Sequence, residues 1–499
     1  MIQETGFVMR SQFRMLQLPF VDCPDTLMAE NTAVTNVLEA FGAIHSVGDP
    51  LAARDGDVFP VYAYTGAEIR GVNAPGNHFR GVQRIRKGPY LVVSGGLGTG
   101  RRRSQVFIVK MGTRAARGPW GSNLVKNAIP GTTDRVISCY GIDTFRWRAG
   151  GISRLGDLIA VPIEGRRKSR VVFLHAKNPE ALERLKVEID RSGVPSAEAA
   201  AVERLPDGRF VVGVWRELRG NYPGRLDLYV SRDERLRNGF EERPFAWTFN
   251  GFGDESDRSP RYRNINFITE RRVAGQVQLY MIGTENTSRS APAENGVNVA
   301  DLWRVNLPNG LVAGRSPSGR FRLDHVATRE YHGVRDHANF GAGAGTYVDD
   351  VGALHMYSCF HWRVERTVRM TEYASHRPGT IHDLRDAWVE LYEHDGFRGK
   401  RLSIYGNRHA EITDYRRIFV DNGDFNDAVS SVKYQIPRGH AYRLYRDAGF
   451  KERRTLKKPF VDLVGTGSAV AIPDLKERPL RFGDKVSSSK YVVRDGSRS

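Results

Sequence analysis

Val389-Glu-Leu-Tyr392-Glu-His-Asp-Gly396-Phe397-Arg-Gly399-Lys400 is an alternating strand that runs into a tight turn flanked by aromatics. Further on, Tyr442-Arg-Leu-Tyr445-Arg-Asp-Ala-Gly449-Phe450-Lys-Glu452 repeats it. Each copy is followed by the same kind of ending, Phe425-Asn-Asp-Ala-Val-Ser-Ser-Val-Lys-Tyr434 and Phe482-Gly-Asp-Lys-Val-Ser-Ser-Ser-Lys-Tyr491. The alternation places side chains on opposite faces of a strand, so Tyr392 and Phe397 can pack on each other across the turn. Gly399 accepts backbone angles that other residues resist. Two copies of a hairpin-plus-serine-loop unit make one closed two-sheet sandwich.

Residues 387–493 therefore resemble the βγ-crystallins. The family's Greek-key signature is an aromatic, four residues, Phe or Tyr, one residue, then Gly. Tyr392, Phe397 and Gly399 match it; Tyr445 and Phe450 match, but Glu452 stands where Gly belongs, which implies a looser turn. Calcium-binding members carry Asn/Asp, Asn/Asp, two variable residues, Ser/Thr, Ser. Asn426, Asp427, Ser430 and Ser431 fit throughout, whereas the second copy has Gly483 before Asp484, Ser487 and Ser488. The resemblance implies Ca²⁺ held by Asn426, Asp427, Ala428 and Ser430 in one loop and by Asp484, Lys485 and Ser487 in the other, with backbone carbonyls from Glu393 and Arg446 on the hairpins. Ca²⁺ takes roughly six to eight hard oxygens, which such loops can supply in part. Gly483 removes one side-chain oxygen, so one of the two sites is expected to be weaker or lost.

Upstream, from Gly76 to Tyr373, a different pattern recurs five times. A small or polar strand is followed by a turn, a hydrophobic strand, another turn and a third strand. The first strands are His78–Ile85, Gly151–Leu155, Ala197–Glu203, Tyr262–Ile268 and His337–Gly343; the second include Tyr90–Ser94, Leu158–Pro162, Arg209–Trp215, Val277–Gly283 and Leu354–Ser358. Crowding around an axis favours small residues on an innermost strand, while a strand buried on both faces reads as an unbroken apolar run. The pattern predicts an all-β chain, a five-bladed β-propeller followed by a βγ-crystallin Greek-key sandwich. The expected divisions are a lead-in over 1–60, the propeller over 61–374, a linker over 375–386 and the sandwich over 387–493. Helices are expected over Thr26–Ala40, capped by Asp25, and over Pro179–Ile189.

Propellers place ligand sites where the axial channel opens. Polar residues within otherwise small or apolar first strands are the candidates: His78, Arg80, Glu198, Asn264, Asn266, His337 and Asn339. A buried polar group needs a partner, and a ring of them makes either a binding site or a self-satisfied network. Two functions follow. The first is a calcium-binding protein whose propeller is a scaffold for a carbohydrate or anionic partner. The second is a propeller glycoside hydrolase with an appended calcium-stabilised module. Paired carboxylates across the mouth favour the enzyme; a mouth of His, Asn and Arg favours the scaffold. His78–Gln83 carries no carboxylate, and only Glu198 and Glu203 mark the third first strand, so the scaffold is the main reading.

The formal net charge of +18 attracts anions. It is dispersed into short clusters such as Arg101-Arg102-Arg103 beside turns, and no recognition helix or RNA-binding signature accompanies it, which argues against nucleic acid. No apolar run reaches a membrane span, and no secretory leader is visible from Met1 to Cys23. Cys23, Cys139 and Cys359 lack any metal or disulfide spacing and read as fillers. Gly95–Arg103 resembles a phosphate loop but precedes a strand, so it reads as a hairpin; His355 and His361 read as structural.

Overall fold

The computed structural model of the chain describes residues 16–493 apart from internal stretches, the longest being 55–77, 112–134, 250–259, 288–296 and 308–320. It divides into two compact units, the first holding most of the chain to Tyr373 and the second running from Ala374 together with Ala43–Val47.

The first unit is a propeller-type ring of five antiparallel blades. Blade one is His78–Ile85, Tyr90–Gly96, Ser104–Lys110 and Arg135–Asp143. Blade two is Ser153–Leu155, Leu158–Glu164, Ser169–His175 and Glu183–Arg191. Blade three is Ala199–Arg204, Phe210–Arg216, Arg225–Val230 and Phe245–Thr248. Blade four is Asn264–Arg271, Val277–Asn286, Asn298–Asn306 and Arg322–Tyr331. Blade five is Gly343–Val348, Leu354–Cys359, Thr367–Tyr373 and, from the chain's beginning, Asp49–Arg54.

That last strand corrects the expected lead-in. Residues 49–54 pair antiparallel with Thr367–Glu372 and finish the fifth blade. The ring is thus clasped by a backbone ladder between the two ends of the unit, which satisfies an edge that would otherwise be open. The innermost strands also meet in sequence around the axis. Gln83 Nε2 donates to Ile152 O at 3.0 Å, joining blades one and two. Gly151 bridges Ala199, joining two and three. Asn266 Oδ1 accepts from Gln83 Nε2 and from Thr346 N–H at 2.9 Å, tying blade four to one and five. A Cβ on Gly345 would collide with the Val82 carbonyl, so blades five and one close only over glycine.

Second strands are buried as the apolar runs required; every residue of Leu354–Cys359 and all but the last of Leu158–Glu164 are buried. Between blades three and four the filling is aromatic, with Trp215 and Tyr262 at 4.8 Å and Trp247 and Trp303 at 5.6 Å between ring centroids. Two of the polar tips are chained together, Trp303 Nε1 donating to Tyr262 Oη, which donates to Asp301 Oδ2, each at 2.8 Å, while the buried Trp215 Nε1 has no partner among the described residues.

Three local expectations are corrected. The first helix is Val37–Ala43, shorter and later than expected, because Asn36 and not Asp25 caps it: Asn36 Oδ1 accepts the Glu39 N–H at 3.1 Å. Asp25 instead pairs with Arg237. The second expected helix is the strand Glu183–Arg191, whose pairing with Ser169–His175 overrides local propensity. Blade five's innermost strand is Gly343–Val348, not His337–Gly343. Asn339 forms a turn there, its carbonyl accepting from Ala342 and Gly343 N–H and its Oδ1 from Gly341 N–H.

The second unit is two four-stranded sheets. One orders Arg398–Tyr405, Trp388–His394, Ser431–Gln435 and Ala469–Ile472; the other orders Glu411–Ile412, Ser488–Val493, His440–Tyr445 and Phe460–Val464. Each sheet takes one strand from the other sequence copy, so neither copy is complete alone. Val389, Leu391, Val432, Leu444, Phe425 and Phe482 fill the space between them. Tyr445 and Phe450 face each other at 5.6 Å across the second hairpin. Gly396 and Gly449 take positive φ at the same place in the two hairpins, at 63° and 73°. No described helix is long and apolar enough to cross a membrane.

Candidate active site at the propeller mouth

Strand direction alone gathers the site. Innermost strands begin where the antiparallel second strands end, so residues at those starts and ends share one opening of the channel. Blade two's second strand ends at Glu164, and blade three's is followed by Glu217. His361 follows the second strand of blade five. Arg80 sits on the first strand of blade one, while Glu198 and Arg263 immediately precede the first strands of blades three and four.

Glu198 is the centre of this group. Its Oε2 lies 2.6 Å from Arg263 Nη1 and 3.7 Å from Arg80 Nη1. Arg263 also reaches Glu217 at 3.6 Å, and Arg261 reaches it at 3.3 Å. Burial alone would raise the Glu198 carboxyl, but Arg263 and Arg80 together hold it below the ordinary value. Glu164 behaves oppositely. Its Oε1 accepts the Ala197 N–H at 2.9 Å, beside Glu198 in sequence. Burial, and then the Glu198 charge, push it up to about 6. Two neighbouring carboxyls thus have separated proton affinities. One is a ready anion and one retains its proton to mildly acidic pH.

The cations respond to the same surroundings. Burial lowers Arg80 to about 10, against the pull of Glu198. His361 is held down to about 4, by burial first and then by Arg80 and Arg263, so it is neutral at pH 7. Asn264, 1% exposed, follows Arg263, and neither its side-chain oxygen nor its nitrogen has a hydrogen-bond partner among the described residues.

Of the residues expected at the mouth, Arg80, Glu198 and Asn264 come together there. Asn266 lies deeper, bonded to Gln83 and Thr346, and Asn339 serves its turn. His337 and the His78 side chain fall outside the described residues, as do 97–103 of the glycine-rich hairpin. Glu203 is buried, its Oε1 accepting the Arg204 N–H. His355 pairs with Asp349 at 3.2 Å. Sequence reasoning missed Glu164, Glu217, Arg263 and His361. The available signal was a charged or titratable residue at or just past the end of the apolar second strands of blades two and three, as in Pro162-Ile-Glu164 and Trp215-Arg-Glu217.

The two serine loops show their own geometry. Ser487 Oγ donates to Asp427 Oδ1 at 3.2 Å and Ser430 Oγ to Asp484 Oδ1 at 2.6 Å, so each acid is joined to the serine of the other copy. Ser430 N–H donates to Tyr392 O and Ser487 N–H to Tyr445 O, which places Glu393 and Arg446 beside the respective serines. Asp427 and Asp484 take φ of 54° and 53°, the same left-handed turn twice. The oxygens of Asn426, Asp427 and Ser487 suit a hard cation. The Asp484 loop does not, because Lys476 Nζ lies 2.5 Å from Asp484 Oδ2 and its stem covers Gly483. Lys485 is exposed and Ala428 half-buried. Among the described residues no group of three or more His, Cys, Asp or Glu could hold a metal.

No family model matches the sequence, and no curated protein matches it. Solved structures do. A structure from the GH130 family of mannoside phosphorylases, described as containing glycoside hydrolases that target β-1,2-mannosidic linkages in Candida mannan, covers 61% of this chain and 86% of its own at 11% identity and a TM-score of 0.32. A fructofuranosidase from Schwanniomyces occidentalis covers 84% and 92% at 6% identity and 0.36. A Bombyx mori GH32 β-fructofuranosidase covers 83% and 88% at 10% identity and 0.35. Likeness at these scores transfers no residue role.

The main sequence-based reading, a calcium-binding protein whose propeller is only a scaffold, is corrected. Where that reading expects a mouth of His, Asn and Arg, the mouth holds two neighbouring carboxyls, Glu164 and Glu198, whose proton affinities are driven apart.

Proposed function

We propose that the propeller is a glycoside hydrolase, with the second unit as an appended βγ-crystallin-type module stabilised by Ca²⁺. The observation that carries the first part is the Glu164–Glu198 pair. Glycosidic cleavage needs a proton delivered to the leaving oxygen and a carboxylate on the other side of the sugar ring. Environments that push two carboxyls apart supply both at one pH. Glu164 is the proton donor and Glu198 the carboxylate that either attacks the anomeric carbon or deprotonates the attacking water. Arg263 and Arg80 keep Glu198 ionised. The test is reducing-end release from a panel of mannans, fructans, arabinans and acidic polysaccharides at pH 5. Release of sugar from at least one by the wild-type chain is expected, and none from any glycan by either chain when Glu198→Gln is compared would reject the reading.

For the module, Asn426, Asp427 and Ser487, with the carbonyl of Arg446, supply the oxygens, and bound Ca²⁺ would neutralise Asp427 and pin the two loops together. Calorimetric titration should give one Ca²⁺ per chain, with a raised melting temperature that is lost in Asp427→Ala and kept in Asp484→Ala. Two equal sites, or no heat at millimolar Ca²⁺, would contradict it.

A further inference from the structure

We propose that the sugar bound at this mouth is anionic, its carboxylate or sulfate oxygens held by Arg148 and Arg80. This deepens the hydrolase reading and rests on it for the site's location, not for its chemistry.

The argument is one of unequal numbers. Arg80, Arg148, Arg261 and Arg263 gather at the opening, and among the described residues the carboxylates with them are Glu164, Glu198, Glu217 and Glu285, whose Oε2 accepts the Arg261 N–H. Glu198 is shared between Arg80 and Arg263, and Glu217 between Arg261 and Arg263. Whenever Glu164 holds its proton, four guanidiniums face three charges among the described residues, and Arg148 is the one left over. A hydrolase for neutral sugars has no use for that surplus, because positive charge at the ring opposes the cationic character of the transition state. A substrate that brings its own negative charge removes the conflict.

Arg148 is the group that is free to do this. It lies directly opposite Glu164 across paired strands, and its exposed guanidinium has no hydrogen bond or ion pair among the described residues. Its charge is felt by both Arg80 and Glu198, which places it at the same opening. The planar guanidinium fork matches a carboxylate or sulfate with two parallel hydrogen bonds. Behind Arg263, the buried Asn264 amide retains one donor side and one acceptor side. That pair complements a sugar hydroxyl, which donates and accepts at once. The whole-chain charge of +18 would draw such a polymer toward the protein.

Binding can be read without turnover. Isothermal titration of the Glu164→Gln chain with a trigalacturonate, a sulfated trigalactoside and the neutral trigalactoside separates the cases. Tighter binding of either acidic trisaccharide, by tenfold or more over the neutral one, is expected. The preference should shrink as salt is raised and fall about tenfold when Arg148→Gln is added. Carboxylate and sulfate sources are told apart by which acidic probe binds. Neutral sugar bound as tightly as both acidic ones, or an acidic preference indifferent to Arg148, would overturn the inference. Neutral glycans cleaved without any acidic preference would sink this inference alone. Acidic binding with no cleavage by the wild-type chain would sink the hydrolase reading alone.

Discussion

Glu164→Gln is expected to lower the rate of glycoside cleavage by about 10²–10⁴-fold, the usual contribution of a positioned general acid. The amide keeps the shape and can still accept the Ala197 N–H, so the loss isolates the proton. Wild-type activity should form a bell in pH. Its acid limb rises as Glu198 ionises, below the ordinary carboxylate range, and its basic limb falls near pH 6 as Glu164 gives up its proton. Activity that stays flat from pH 5 to 8 would remove Glu164 from the role of donor.

The same substitution has a second readout in stability. Glu164 has an ordinary value of 4.5 and is raised to about 6 in the fold. Below 4.5 both folded and unfolded chains carry the proton, and the group costs nothing. Between 4.5 and 6 the folded chain keeps a proton that the unfolded chain releases, so stability falls as pH rises through that window. Above 6 the penalty is complete, at about 2 kcal/mol. Glu164→Gln should therefore unfold at a higher temperature than wild type at pH 7 and at the same temperature at pH 4. A residue that gains stability while losing activity marks a group placed for chemistry. A purely structural carboxyl would lose stability on substitution.

The propeller's repeat was legible because burial dictates residue type: apolar second strands such as Phe210–Arg216 can be nothing else in a blade. Outer strands were not legible. Arg322–Tyr331 alternates burial weakly, and Asp49–Arg54 belongs to a blade whose other strands lie at the far end of the unit, a pairing with no local trace. Pro179–Ile189 shows the limit of periodicity: Leu182 and Leu185 lie on a helical spacing, yet the segment completes blade two. The mouth was half legible. Arg80, Glu198 and Asn264 stood out as polar residues in small, apolar stretches. Glu164 did not, because it closes an apolar run and looks like a solvated strand end. Only the antiparallel turn that brings this end beside the start of the neighbouring blade makes it a partner for Glu198. In the second unit both serine loops could be read as equal sites but for Gly483; Lys476, in an unremarkable connection, supplies the ammonium that sets them apart.

Asp227→Ala is expected to destabilise the propeller by about 3–5 kcal/mol, the cost of leaving a buried ion pair without one partner. Asp227 is 3% exposed and stands among three guanidiniums. Arg191 Nη2 lies 2.5 Å from Oδ2, Arg216 Nε 3.3 Å from Oδ2 and Arg225 Nε 2.8 Å from Oδ1. The Arg191 side chain is fully buried, so it cannot turn to water when its counter-charge goes. Its remaining bonds, to Tyr229 Oη, Ser169 Oγ and Ser196 O, fix the guanidinium but neutralise nothing. Arg225, a third exposed, can swing into solvent, so Arg225→Ala should cost no more than about 1 kcal/mol although it removes a contact to the same carboxylate. Urea unfolding followed by tryptophan emission reads the difference, since Trp215 and Trp247 lie in that blade. Burial predicts a steep asymmetry between the two variants. Equal shifts in the unfolding midpoint would mean that the charges here are screened by water and that Arg191 has a route out of the fold.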